Sequence, residues 1–382
     1  MRFWWKPFFI YPSSPGVMGR VNPPSSDPSN AVVRRVGFVV GHPAHVHLFK
    51  NAIRDLNGLG YRILILAVRK EITLEVLRRE GFSYEVIGTN YPSLLAKAVT
   101  IPGKDWRTVQ ILRDFDPDLV VSTGSPYAAH ACRLLGIPHI CFGDTEVASL
   151  ATLTMLPFID AIYTPDCFSI DLGQKQIRYP SYHELAYLHP RRFRPDPEAL
   201  LQAGLRAGEP YFILRLSSAD SAHDMREEAS GVTNRDLLLH LLTELEKHGR
   251  PIVSSEVPLP SSITSYLGRF PPEIIHSLLA FATLYVGEGA TMASEAGILG
   301  TPWVFISRTP RGYLDDQERV FGLGTRVESL SAAVPIALRW ASEPMTKESW
   351  KEKSQRLIAV KADTTEIIVD AVRSRVEGGA AR

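Results

Sequence analysis

Short β-branched runs alternating with amphipathic stretches of helical period constrain this chain more than any other feature. From Arg35 onward, VGFVVG (36–41) leads into a helical pattern over 46–59, RILILAV (62–68) into one over 71–80, and SYEVIG (83–88) into one ending near Phe115. DLVVST (118–123) precedes a helix over 126–135, HICFGD (139–144) precedes one from about 147, and AIYT (161–164) ends the series. Apolar strands spaced by helices predict a parallel sheet covered on both faces. A second series follows the same rule. YFILRL (211–216), PIVSSE (251–256), LYVGEG (284–289) and PWVFIS (302–307) alternate with helices near 234–248, 272–281 and 290–299, and 330–376 reads as amphipathic helix.

The expected class is therefore α/β, with two doubly wound halves facing a cleft. Residues 35–165 form the N-terminal Rossmann-like domain and 211–345 the C-terminal one. The Pro-rich stretch 166–210 reads as the connector, and 346–382 as a C-terminal helix packing back on the first domain. Residues 1–34 open with MRFWWKPFFI and continue through YPSSPGVMGRVNPPSSDPSN, an extension and linker in which residues 1–10 are a candidate peripheral membrane contact.

Composition narrows the partners. With 42 Lys+Arg against 41 Asp+Glu the formal net charge is +1, so no long-range field draws in a nucleic acid. Cys132, Cys141 and Cys167 make no C-x-x-C pair, which argues against a disulfide framework or a zinc site and fits a reducing cytoplasm. No run approaches the roughly 20 apolar residues that span a bilayer. Neither a G-x-S-x-G elbow, an H-E-x-x-H pair nor a P-loop occurs.

The most informative segment is LYVGEGATMASEAGILGTPWVFI (284–306). A strand ends at Gly287, a turn passes through Gly289, and a helix opens on Ala290 and Thr291, whose amides suit a diphosphate. Glu295, farther along that helix, is a candidate for ribose hydroxyls. After the first strand, GHPAHVHLFK places His42, His45 and His47 at the carboxyl end of the sheet, with His45 the leading candidate for substrate contact. No carboxylate nearby completes a metal set, so no metal is expected.

GDTEVASL (143–150) offers Asp144 and Glu146 as a general base or sugar-hydroxyl ligands, or as helix caps. RLSSADSAHD (215–224) offers Arg215, Ser217 and Ser218 to a phosphate, and His223 to orient or protonate a leaving diphosphate. In the connector, Tyr182, His183 and Glu184 are either substrate contacts or a buried cluster fixing the hinge. Arg308, in RTPRGYLDDQ (308–317), is a candidate to close on a sugar.

The combination of GHPAHVHLFK, GDTE, YPSYHELAYLHP, RLSSADSAHD and GEGATMASEAGILGTPWVFI resembles the family known as domain of unknown function 354, over about residues 35–375. That family is grouped with the GT-B glycosyltransferases and the non-hydrolysing UDP-N-acetylglucosamine 2-epimerases. The resemblance implies a GT-B fold with the donor nucleotide on the second domain, against Gly287 to Glu295. It implies catalysis by Asp144 or Glu146 with His223, to which the position of His45 after the first strand adds a further catalytic candidate, and a nucleotide diphosphate sugar, UDP-linked, as substrate with no tightly bound cofactor. The leading activity is transfer of the sugar to a glycan or lipid-linked acceptor. A nucleotide-sugar epimerase is the runner-up, because His223 stands outside the H-R-x-E-N run of the epimerases. A non-catalytic nucleotide-sugar-binding protein is the third reading.

Overall fold

The computed structural model describes residues 33–69, 72–89, 94–146, 154–216, 234–255, 259–342 and 347–379. Among them are two all-parallel sheets. The first has seven strands in the order β3-β2-β1-β4-β5-β6-β7: β1 (Arg35–Val40), β2 (Arg62–Arg69), β3 (Glu85–Thr89), β4 (Leu119–Ser122), β5 (His139–Phe142), β6 (Ala161–Pro165) and β7 (Gln176–Tyr179). The second has five, ordered β12-β11-β10-β8-β9: β8 (Tyr211–Leu216), β9 (Arg250–Ser255), β10 (Leu284–Gly287), β11 (Trp303–Ile306) and β12 (Gly324–Val327). Central strands such as β1, β4, β5 and β10 are buried along nearly their whole length, which is why they read as unbroken apolar runs.

In both sheets the order of strand addition reverses beside the first strand, between the parallel neighbours β1 and β4 and between β8 and β10. Ligand crevices in open α/β sheets form outside the carboxyl ends of strands at such reversals. The loops after β1, β4, β8 and β10 are thereby marked before any side chain is considered.

Two strands lie where the sequence pattern predicts none. β7 falls inside the expected connector 166–210 and pairs with β6, while β12 closes the edge of the second sheet on β11. Both are edge strands with partly exposed residues, so neither shows a continuous apolar run or a strict alternation. Helix α1 (Pro43–Gly58) starts earlier than expected, because Pro43 sits at its first position and the His42 side chain accepts the Ala44 N–H. The expected helix from about 147 lies outside the described residues.

The C-terminal segment is two helices, α2 (Lys347–Val360) and α3 (Thr364–Gly379), interrupted at Lys361–Asp363. The break carries ties to the connector. Arg192 joins Asp363 (2.7 Å) to Asp55 of α1 (2.8 Å), and Lys361 lies between Asp166 (2.8 Å) and Asp316 (3.0 Å). Glu377 of α3 reaches Arg34 and Tyr61 of the first half.

Candidate active site

At the carboxyl edge of the first sheet the chain crowds imidazoles and carboxylates around one cavity of about 370 Å3. His45, on the first turn of α1, is held by two contacts at Nδ1, the Gly41 N–H (3.2 Å) and the Thr123 hydroxyl (2.7 Å). Because a backbone amide can only donate, Nδ1 is an acceptor and the proton of the neutral ring resides on Nε2. Thr123 follows β4, so this contact spans the reversal between β1 and β4.

Asp144 follows β5 and pairs through Oδ2 with Nδ1 of His183, 3.1 Å away, while its Oδ1 accepts the Thr145 hydroxyl at 3.0 Å. Burial alone would raise the Asp144 pKa, but His183, the Thr145 hydroxyl and nearby His45 together hold it at about 2. It is a carboxylate at neutral pH. Neighbouring Glu184 is 2% exposed, and burial together with the charge of Asp144 pushes its pKa well above the usual carboxyl range. The surroundings thus push the pKa values of two neighbouring carboxyls in opposite directions. Nε2 of His183 and Oε2 of Glu184 are both shielded from water and meet no partner among the described residues.

His42, His45, Asp144, His183 and Glu184 make the polar wall of the cavity, and Phe142, Met155, Ile162, Phe168 and Leu172 make an apolar one. Thr291 and Tyr313 complete the lining from the second half. Thr291 belongs to the helix Ala290–Ile298 of that half, whose start is built for close approach. Gly287 pairs in register with Arg215, and a Cβ there would lie 2.4 Å from the Arg215 carbonyl oxygen. Gly289 caps the helix without a side chain, leaving the first amides without intrahelical partners. Arg215 packs against this turn, its Cγ 3.2 Å from where a Gly289 Cβ would stand, and donates from Nη1 to Ser254 (2.7 Å). Uncapped amides, a macrodipole and an adjacent guanidinium form a setting for an anion.

No family model matches the chain. Curated relatives do: the chain is 26% identical over 293 residues to the UDP-N-acetylglucosamine–N-acetylmuramyl-(pentapeptide) pyrophosphoryl-undecaprenol N-acetylglucosamine transferase of Listeria monocytogenes serotype 4a, covering 70% of this chain and 76% of that one. The enzyme of the same name from Listeria welshimeri is 25% identical over 292 residues with the same coverage. Among solved structures, UDP-GlcNAc 2-epimerase from Neisseria meningitidis bound to UDP-GlcNAc superposes with a TM-score of 0.65 at 12% identity, over 88% of this chain and 99% of that one. Glycosyltransferase SsfS6 of Streptomyces sp. SF2575, complexed with thymidine diphosphate, superposes at 0.57 with 15% identity over 89% and 99%. The fold is GT-B.

Within the GT-B frame the expected site residues divide. His42, His45, Asp144, His183, Glu184 and Thr291 converge on the cavity, with Gly287, Gly289, Ala290 and Arg215 at the neighbouring turn. Glu295 does not reach the open cleft. It is one turn beyond Thr291 on the same helix face, where Tyr187 covers it. Its Oε1 accepts Tyr187 (2.7 Å) and His276 (3.1 Å), and the residue is 6% exposed. His47, expected as a substrate contact, packs into the same cluster, with its ring 5.3 Å from Tyr187 and 5.5 Å from His276. Burial and the charge of His276 lower its pKa to about 4.

Glu146, expected as a base, instead bridges the two halves by accepting the Gly312 N–H (2.7 Å) and the Ser169 N–H (3.1 Å). Tyr182 is fully buried and donates to Asp316 under Lys361, so it fixes the hinge rather than meeting substrate. Arg308 is exposed after β11 and is not among the cavity residues. Ser217, Ser218, His223 and residues 1–10 lie outside the described residues. The sequence reading missed Thr123, Tyr187 and His276. Only Thr123 carried a signal, because the T-G-S step after β4 falls at the sheet reversal.

Asp166, Cys167 and Asp316 bring ligand-type atoms within 4.8 Å of one another. The ammonium of Lys361 bonds both carboxylates and supplies the counter-charge there.

Proposed function

We propose that this protein is a glycosyltransferase that moves a sugar from a UDP-sugar to a lipid-linked acceptor. One observation carries the reading: the glycine turn and uncapped helix start at Gly287–Thr291 stand across a single cleft from a cavity walled by histidines and a charged carboxylate. The curated relatives act on a UDP-sugar and an undecaprenol-linked acceptor over 70% of the chain, which supports both substrate classes.

In this reading the amides at Gly289–Thr291 and the Arg215 guanidinium stabilise the departing diphosphate. The acceptor hydroxyl enters the first-half cavity between the polar wall and the apolar one, and the apolar side suits a lipid-bearing molecule. Closure of the halves excludes water and limits hydrolysis of the donor. No helix among the described residues is long and apolar enough to cross a membrane. In this reading the lipid of the acceptor places the encounter at a membrane surface. Kinship with the domain of unknown function 354 family belongs to the same proposal, on the five segments that carry the resemblance.

Phosphorus and anomeric-proton NMR of the full chain tests it, first with UDP-, GDP-, dTDP- and CMP-sugars alone and then with a polyprenyl-diphosphate-linked sugar in detergent. Saturable broadening by a UDP-sugar alone, followed by UDP release and a new glycoside when acceptor is added, is the expected outcome. A new epimeric nucleotide sugar in the absence of acceptor replaces transfer by epimerisation, and failure to bind any nucleotide sugar removes both.

A further inference from the structure

Any transferase reading needs a group that receives the acceptor proton, and the residues lining the cavity differ in their capacity for this. Nδ1 of His45 is already accepting from Gly41, which leaves Nε2 protonated and makes this ring a donor. Both oxygens of Asp144 are engaged, by His183 and Thr145, and its conjugate acid is strong. Glu146 is occupied by two backbone amides. Glu184 is 2% exposed, and burial together with the charge of Asp144 pushes its pKa well above the usual carboxyl range, which favours its protonated, donating form over a base.

His183 differs. Its ring lines the cavity and its Nδ1 faces a carboxylate that is ionised at neutral pH, so Nδ1 carries the proton and the lone pair is on Nε2, which is shielded from water and has no partner among the described residues. An unmatched buried acceptor costs on the order of 1–3 kcal/mol, and a substrate hydroxyl donating to it removes that cost. The Asp144 carboxylate fixes the tautomer and stabilises the imidazolium that proton uptake creates, the logic of an aspartate-supported histidine base.

We infer that His183, oriented by Asp144, is the general base of the reaction, so the proton acceptor comes from the connector between the domains and not from the loop after β1. The inference rests on the transferase reading. As the acceptor oxygen bonds to the anomeric carbon, its proton passes to Nε2 of His183, and the electron pair of the breaking sugar–phosphate bond leaves with the nucleoside diphosphate. Because the connector also carries Tyr182 and Tyr187, which tie it to the second half, domain movement and placement of the base are coupled.

Two measurements decide it. Long-range 1H–15N correlation spectra of the histidine-labelled full chain report ring tautomers without requiring turnover. The resonance lost in His183→Gln, or displaced in Asp144→Asn, is expected to show Nδ1–H, and Nε2–H there overturns the dyad. In the transfer assay, His183→Gln is expected to lower kcat at least 100-fold while the dissociation constant for the UDP-sugar stays within about twofold, in line with the ~100- to 10,000-fold typical of general bases.

The acid limb of the wild-type pH–rate profile should vanish in His183→Gln and shift in Asp144→Asn. The titratable groups bordering the pair are His45, Glu184, Tyr179, Tyr187 and Tyr313. Should His183→Gln fail to fold, Asp144→Asn carries the same test through the limb and the tautomer. Transfer within threefold of wild type with an unchanged acid limb overturns the inference. A wild-type chain that transfers nothing defeats the functional reading instead, and the tautomer spectrum still decides the dyad.

Discussion

The crevice edges of the two halves are built on opposite principles. At the first, side chains do the work: three imidazoles and two carboxyls gather at the ends of β1, β4 and β5, two polar atoms go unpaired, and there is room between them. At the second, the backbone does it, since glycines bring β10, β8 and the following helix into contact and the one buried carboxylate, Glu295, is paired twice. The difference matches a division of labour in which one half moves a proton and the other holds an anion.

The sharpest way to break this contrast is to unpair the second edge. Glu295→Ala strands His276 and the Tyr187 hydroxyl in a buried setting and should destabilise the fold by about 3–5 kcal/mol, read as a lowered urea midpoint. A loss confined to nucleotide affinity, with stability intact, would return Glu295 to the role of a ribose ligand. Next in size is the glycine comparison. Gly287→Val should cost about 3 kcal/mol because its Cβ meets the Arg215 carbonyl at 2.4 Å. Gly41→Ala, at the corresponding turn of the first half, finds its nearest atom at 3.8 Å and should cost under about 1 kcal/mol. Equal effects would erase the distinction between a tight edge and a roomy one.

Acidification probes two buried histidines of the first half. Burial lowers the pKa of His139 on β5 to about 3, and that of His47 falls to about 4. A folded pKa below the unfolded value of about 6.5 means the unfolded chain binds more protons, so stability falls as pH drops below about 6.5. For fully buried His139 the slope approaches about 1.4 kcal/mol per pH unit, down to its folded pKa. Asp144 acts in the same sense, its folded pKa of about 2 lying below the ordinary carboxylate value of about 4, but its contribution is lost only below about pH 4, outside the comparison of pH 7 with pH 5. Urea midpoints at pH 7 and pH 5 should differ, and His139→Gln should narrow the gap; an unchanged gap would remove this histidine as the cause. Smallest is Arg308→Ala, expected within about 0.5 kcal/mol of wild type and within twofold in transfer, since the side chain is exposed and does not line the cavity. A tenfold loss of transfer would bring the loop after β11 into the site.

Legibility followed burial and locality. Fully buried parallel strands were readable because both faces are apolar, whereas edge strands β7 and β12, half in solvent, carry no comparable pattern. The helix start at Ala290 and the anion-suited turn were readable because glycine spacing is a local, backbone-level signal. The partners of His183, Glu295 and Glu146 were not. Glu146 and Gly312 are 166 positions apart, and Tyr187 and Glu295 are 108 apart. No periodicity encodes such pairings.

By itself the sequence determined two wound α/β halves, a glycine turn fit for an anion, and a crowd of histidines and carboxyls at the carboxyl ends of strands. Period and glycine placement act within a few residues, so they survive without knowledge of the fold. Which of those groups is ionised, which is a donor and which is tied up in a latch was decided only by tertiary structure. Protonation state and availability depend on burial and on the nearest charge, and distant parts of the chain supply both.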